Sequence, residues 1–87
     1  MTAAQFLVNE VFDIAARGGL IAVGTTRNGE FLGIPSLRDD ASGQLIHVLG
    51  VDHPTPRTRR TGETSLVVDR ADAEHVTVGR LWTAETQ

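Results

Sequence analysis

Apolar positions in this chain of 87 residues fall in short runs, separated by nine scattered glycines and by polar turns. Such spacing punctuates short strands better than long helices. Residues 20–25 form an apolar run rich in β-formers. Arg27-Asn28-Gly29-Glu30 follows, and Asn-Gly is the strongest short hairpin signal because both residues accept positive φ. A return strand over residues 31–37 is predicted, interrupted at Gly33 and at Pro35. Proline has no N–H to donate, which places Pro35 at an edge or a break. Residues 39–43 read as a polar turn, in which Asp39 and Asp40 are turn residues rather than a catalytic carboxylate pair. Residues 44–51 alternate, with Leu45, His47 and Leu49 on one face and Ile46, Val48 and Val51 mostly on the other. Residues 52–62, with Pro54 and Pro56, read as a loop. A strand over residues 63–69 centres on Leu66, Val67 and Val68. One helical turn is predicted at residues 71–75, capped by Asp69, and a last strand at residues 80–83.

The first segment admits two readings. Phe6, Val8, Glu10, Phe12 and Ile14 alternate with Leu7, Asn9, Val11 and Asp13. Both sets are largely apolar, as in a strand buried on both faces. The same stretch also reads as a helix. Thr2 and Gln5 have capping-box spacing, Gly18 suits a C-cap, and Ala3, Ala4, Ala15 and Ala16 favour helix. Local pattern alone does not choose between them.

Six or seven short strands between turns predict a single all-β domain over residues 1–87, an antiparallel sandwich or barrel. Length allows one domain with a modest core, at 40% apolar residues. There is no cysteine, which excludes a disulfide framework and a thiolate metal site. The N-terminus lacks a basic segment followed by an apolar run, and no stretch approaches the roughly 20 apolar residues of a membrane span. A cytoplasmic protein is expected. The formal charge of −3 argues against a bulk electrostatic grip on nucleic acid.

Several stretches together resemble the second domain of translation elongation factors of the Tu/1A type. Glu10-Val11-Phe12-Asp13-Ile14, then Ala16-Arg17-Gly18-Gly19-Leu20-Ile21-Ala22-Val23-Gly24, are similar to that domain's opening strands. Gly29 and Gly33 fall at its next turn. Val48-Leu49-Gly50-Val51-Asp52, Thr61-Gly62-Glu63-Thr64, Val67-Val68 with Arg70, and Val78-Gly79-Arg80-Leu81-Trp82 are similar to its later strands and turns, in order, over roughly residues 8–84. The resemblance implies a small closed antiparallel β-barrel and selects the strand reading for residues 6–14. It also implies binding positions at Asp52, Thr64, Asn9 and Glu10, where the family helps to hold the aminoacylated end of tRNA. Thr64 stands where the family has Asn and lacks its amide donor. The chain has no P-loop, so no GTP binding is expected.

Among the remaining polar residues, Arg57, Arg59 and Arg60 stand out, since guanidinium groups suit carboxylates and phosphates. His47, His53 and His75 have no metal-ligand spacing, so neither metal nor cofactor is expected. Ser36, Ser42 and Ser65 lie in no nucleophile motif, and no enzyme is expected. The expected function is a non-catalytic binding module that takes a protein partner, with a homodimer compatible with an exposed strand. The alternative is an RNA- or ribosome-interacting accessory of translation, using the three arginines with Arg70 and Arg17.

Overall fold

The computed structural model describes residues 4–14, 18–29, 36–52 and 55–85, the side chains of Ile14 and Arg57 excepted. Among these residues, seven strands form one antiparallel sheet: β1 (Gln5–Ile14), β2 (Gly19–Arg27), β3 (Leu37–Asp39), β4 (Leu45–Ile46), β5 (Val48–Val51), β6 (Thr64–Val68) and β7 (Leu81–Ala84). Their order across the sheet is β4-β3-β7-β1-β2-β6-β5. A short helix, α1 (Pro56–Thr61), joins β5 to β6, and a 3-10 helix (Arg70–His75) joins β6 to β7.

The first segment is a strand. β1 lies inside the sheet between β7 and β2, so its backbone groups are engaged by two ladders. Its double-sided apolar pattern has a local cause. The register with β2 shifts between Val8 and Glu10, leaving Asn9 as an inserted residue. Such a bulge reverses the alternation of faces beyond it. Phe6 and Val8 therefore enter the core before the bulge, and Val11 packs against it afterwards. β1 crosses β2 closely at Gly24, where a Cβ would meet the Leu7 carbonyl oxygen at 2.1 Å and the Phe6 ring at 2.7 Å.

The core gathers Phe6, Val8, Leu20, Ala22, Leu37, Ile46, Leu66, Val68, Val76 and Trp82. The Trp82 and Phe6 rings stack with centroids 5.6 Å apart, within the range of favourable aromatic pairs. Leu20 and Ala22 face this cluster, in register with Val68 and Leu66. Ile21 and Val23 are also buried but lie outside the cluster, so β2 is covered on both faces.

The ladder is open, because no pairing joins β4 to β5 at its two ends. Yet these edge strands are consecutive in the chain, with His47 alone between them. A flat sheet of this width would hold its edges about 29 Å apart at normal strand spacing. One intervening residue spans at most about 7 Å. The sheet is therefore bent enough to bring the end of β4 close to the start of β5 at His47, although the two strands are not paired and the expected closed barrel is not formed by the described ladder. The alternating segment predicted over residues 44–51 is accordingly two short strands divided at that residue.

The 3-10 helix holds this corner. The Asp69 N–H donates to the His47 carbonyl at 2.9 Å. Asp72 Oδ2 accepts from the His47 N–H at 2.7 Å and lies 3.0 Å from its Nδ1. Asp69 also caps the helix, its carboxylate accepting from Ala71 N–H at 2.9 Å.

The Asn28-Gly29 signal yields the expected backbone, with positive φ at both residues. The predicted return strand lies outside the described residues up to Pro35. Leu37 belongs to β3, which pairs with β4 and β7 rather than with β2. Among the described residues no helix is long and apolar enough to cross a membrane.

Candidate functional site

The loop expected over residues 52–62 contains a helix. Thr55 accepts from the Thr58 N–H at 3.2 Å, and Thr58 Oγ1 accepts from the Thr55 N–H at 2.8 Å. This reciprocal pair is a capping box built with threonine at the third helical position. Pro56 occupies the first turn, where a missing N–H leaves no bond unmade. Gly62 ends the helix in the left-handed conformation, its N–H donating to the Thr58 carbonyl at 2.9 Å. Caps at both ends thus support six residues that would be marginal as a free helix.

Arg59 and Arg60 lie in the last turn and are exposed. Cations there oppose the negative end of the helix dipole. The Arg57 backbone belongs to α1, and its side chain lies outside the described residues. Thr61, at the helix end, donates to Glu63 Oε1 at 2.8 Å. Glu63 Oε2 accepts from the Asn9 amide at 3.0 Å, and that amide also reaches Thr25 Oγ1 at 2.9 Å. The bulge in β1 is therefore tied by side chains to the end of α1. Thr64 opens β6 opposite Gly24, and the Asp52 N–H donates to the Ser65 carbonyl at 2.8 Å. The fold brings Asn9, Asp52, Thr64 and α1 to one end of the β1-β2-β6-β5 surface. Glu10 lies beside Asn9, opposite Val23. Leu49 and Val51, on edge strand β5 just before this segment, are about half exposed.

Arg70 is engaged elsewhere, in an ion pair with Asp13. Arg17 and His53 lie outside the described residues.

A second polar cluster surrounds one buried carboxylate. Asp39 is fully buried. Its Oδ2 accepts from Ser42 Oγ at 2.7 Å and from the Arg80 guanidinium, with His75 Nδ1 at 3.8 Å. Burial pushes the Asp39 carboxyl up, but the Ser42 hydroxyl and the Arg80 hydrogen bond and charge outweigh it. The net effect holds the carboxyl below its ordinary value. Ser42, His75 and Asp39 are the residue types of a hydrolytic triad. Ser42 Oγ stands 3.3 Å from His75 Nδ1, the same ring nitrogen that faces Asp39. A relay needs the nucleophile and the acid on opposite ring nitrogens, so this grouping has the residue types without the geometry.

A shallow groove of about 420 Å³ runs beside this cluster, lined by Arg38, Asp39, Asp40, Gly43, Thr83, Ala84 and Glu85. Several of its polar groups bond within the groove. Arg38 pairs with Glu85 and donates to the Gly43 carbonyl, and Thr83 donates to Asp40 at 2.6 Å. Among the described residues, no three His, Asp or Glu side chains converge to hold a metal ion.

Sequence pattern placed Asp39 in a turn and Asp72 in an acidic stretch within the helical turn of residues 71–75, and marked neither as buried. Both are buried. For Asp39 the signal was present: it stands two residues beyond the core residue Leu37, on the same strand face. For α1 the signals were Thr55-Pro56 at one end and Gly62 at the other.

The chain matches no protein-family model, no curated protein and no solved structure.

Proposed function

We propose that this domain is a non-catalytic binding module built on a coiled sheet of the translation-factor second-domain type, and that α1 with its flanks is its recognition surface. The coiling is supported by the meeting of β4 and β5 at His47. The single observation that carries the functional reading is the construction of α1. It is capped at both ends, anchored to β1 through Thr61, Glu63 and Asn9, and presents Arg59 and Arg60 outward. Recognition residues are commonly held this way, on a short segment fixed by a rigid scaffold.

The partner is a protein. Leu49 and Val51 place exposed apolar surface next to the arginine-bearing segment, and protein interfaces combine an apolar centre with arginine. Net charge of −3 adds to this preference. A second reading, an RNA-interacting accessory of translation, draws among the described side chains on the exposed Arg59 and Arg60, since Arg70 is paired with Asp13.

Affinity capture from lysate of the native cell, with and without nuclease, separates these. The module reading expects a protein that survives nuclease and is lost with the Arg59→Gln/Arg60→Gln variant. A nuclease-sensitive catch that weakens steeply with salt favours RNA. Capture that is the same for wild type and variant removes α1 as the recognition surface.

A further inference from the structure

Two buried polar atoms, Asp39 Oδ1 and Trp82 Nε1, have no hydrogen-bond partner among the described residues. Their chemistry is complementary, because an indole nitrogen only donates and an ionised carboxylate oxygen only accepts. Their placement is complementary too. Asp39 and Trp82 are direct partners in the β3–β7 ladder, and both are fully buried, so they share its inner face. Backbone bonds bracket the pair: the Asp40 N–H donates to the Leu81 carbonyl at 3.0 Å, and the Glu85 N–H to the Ser36 carbonyl at 2.8 Å. Bonded and non-bonded positions alternate along an antiparallel ladder. Asp39 and Trp82 therefore occupy a non-bonded position, where Cα atoms are about 4.5 Å apart and side chains lie closest.

Asp39 Oδ2 already serves Ser42 and Arg80, so the remaining demand of the carboxylate falls on Oδ1. A buried polar atom left without a partner is rare, and a bridging water is its usual satisfaction. We propose that one ordered water molecule is bound between Asp39 Oδ1 and Trp82 Nε1, accepting from the indole N–H and donating to the carboxylate. The neighbouring Ser42 hydroxyl and His75 ring make this a polar pocket rather than an apolar void. The site completes the solvation of an ionised Asp39 inside the core, and it stands independently of the binding-module reading.

Trp82 is the only tryptophan, so its indole proton is a unique reporter. In the intact folded chain, a nuclear Overhauser cross-peak between that proton and the water resonance is expected, with the sign of a long-lived contact. It should persist in Ser42→Ala, which removes the hydroxyl that could relay magnetisation. Absence of the cross-peak, or its loss in Ser42→Ala, overturns the proposal. A crystal structure gives an independent reading should Ser42→Ala fail to fold. One solvent peak within hydrogen-bond distance of both atoms is expected, and a direct indole–carboxylate bond overturns the site.

Discussion

Asp39 and Arg59 show two uses of charge within one small sheet. Asp39 is wholly inside, with Ser42 and Arg80 on one oxygen. Arg59 stands on the last turn of α1, exposed. The cluster extends along the 3-10 helix to Asp72, which grips the backbone of His47 between the two edge strands. There, charged groups hold the chain in place, and removing one leaves its partners unpaired. On α1 the caps hold the helix, and Arg59 and Arg60 have no side-chain hydrogen bond or ion pair among the described residues. Such residues can change without loss of fold, which leaves them open to a role in recognition.

The comparison can be broken most severely at Asp39. Asp39→Ala leaves Arg80 beside an emptied interior site. A loss of about 3 kcal/mol is expected, at the low end for a broken buried pair because Arg80 is partly exposed, and urea unfolding measures it. Asp72→Ala removes the acceptor of the His47 N–H. It should lower stability by about 1–3 kcal/mol, with hydrogen exchange rising first at His47 and Val48. Thr55→Ala removes one half of the α1 capping box and should lower stability by about 1 kcal/mol, read from the same unfolding curves. The smallest effect belongs to Arg59→Gln/Arg60→Gln, which should leave stability within about 0.5 kcal/mol of wild type while abolishing capture of the partner.

Acid should separate the two regions without mutation. The folded Asp39 carboxyl lies below its ordinary value of 3.8. Its ionised form therefore stabilises the fold at every pH above that value. The contribution fades as pH falls below 3.8 toward the folded pKa, because the unfolded chain takes the proton more readily. A plot of unfolding free energy against pH should fall on the acid side, and the part due to Asp39 should vanish in Asp39→Asn.

Most strands were legible because they gather branched or aromatic residues between turn residues, as at Leu66-Val67-Val68. The turn at residues 39–43 and the Asp69 cap were legible from local polar chemistry. Three features were not, each for a physical reason. The bulge at Asn9 reversed the faces of β1 and made its alternation look like a strand buried on both sides or a helix. The break at His47 depends on Asp72, distant in sequence, so the segment over residues 44–51 read as one strand. α1 is short, and its capping box uses Thr58 in place of the more familiar Glu or Gln. Of the candidate binding residues, adjacency of Asn9, Thr64 and Asp52 came from a family resemblance. The hydrogen bonds joining Asn9 to Glu63 and Glu63 to Thr61 could not be read from sequence, since they depend on the register of β1, β2 and β6.

Amide hydrogen exchange at His47, in the unmodified chain, bears most directly on the claim that Asp69 and Asp72 clamp the junction between the two edge strands. If Asp72 and Asp69 clamp that residue, its N–H exchanges only through opening of the whole domain, at the rate of the Leu66 and Ala22 amides. Exchange at the speed of an exposed loop, with β2 and β6 still protected, would contradict a clamped corner.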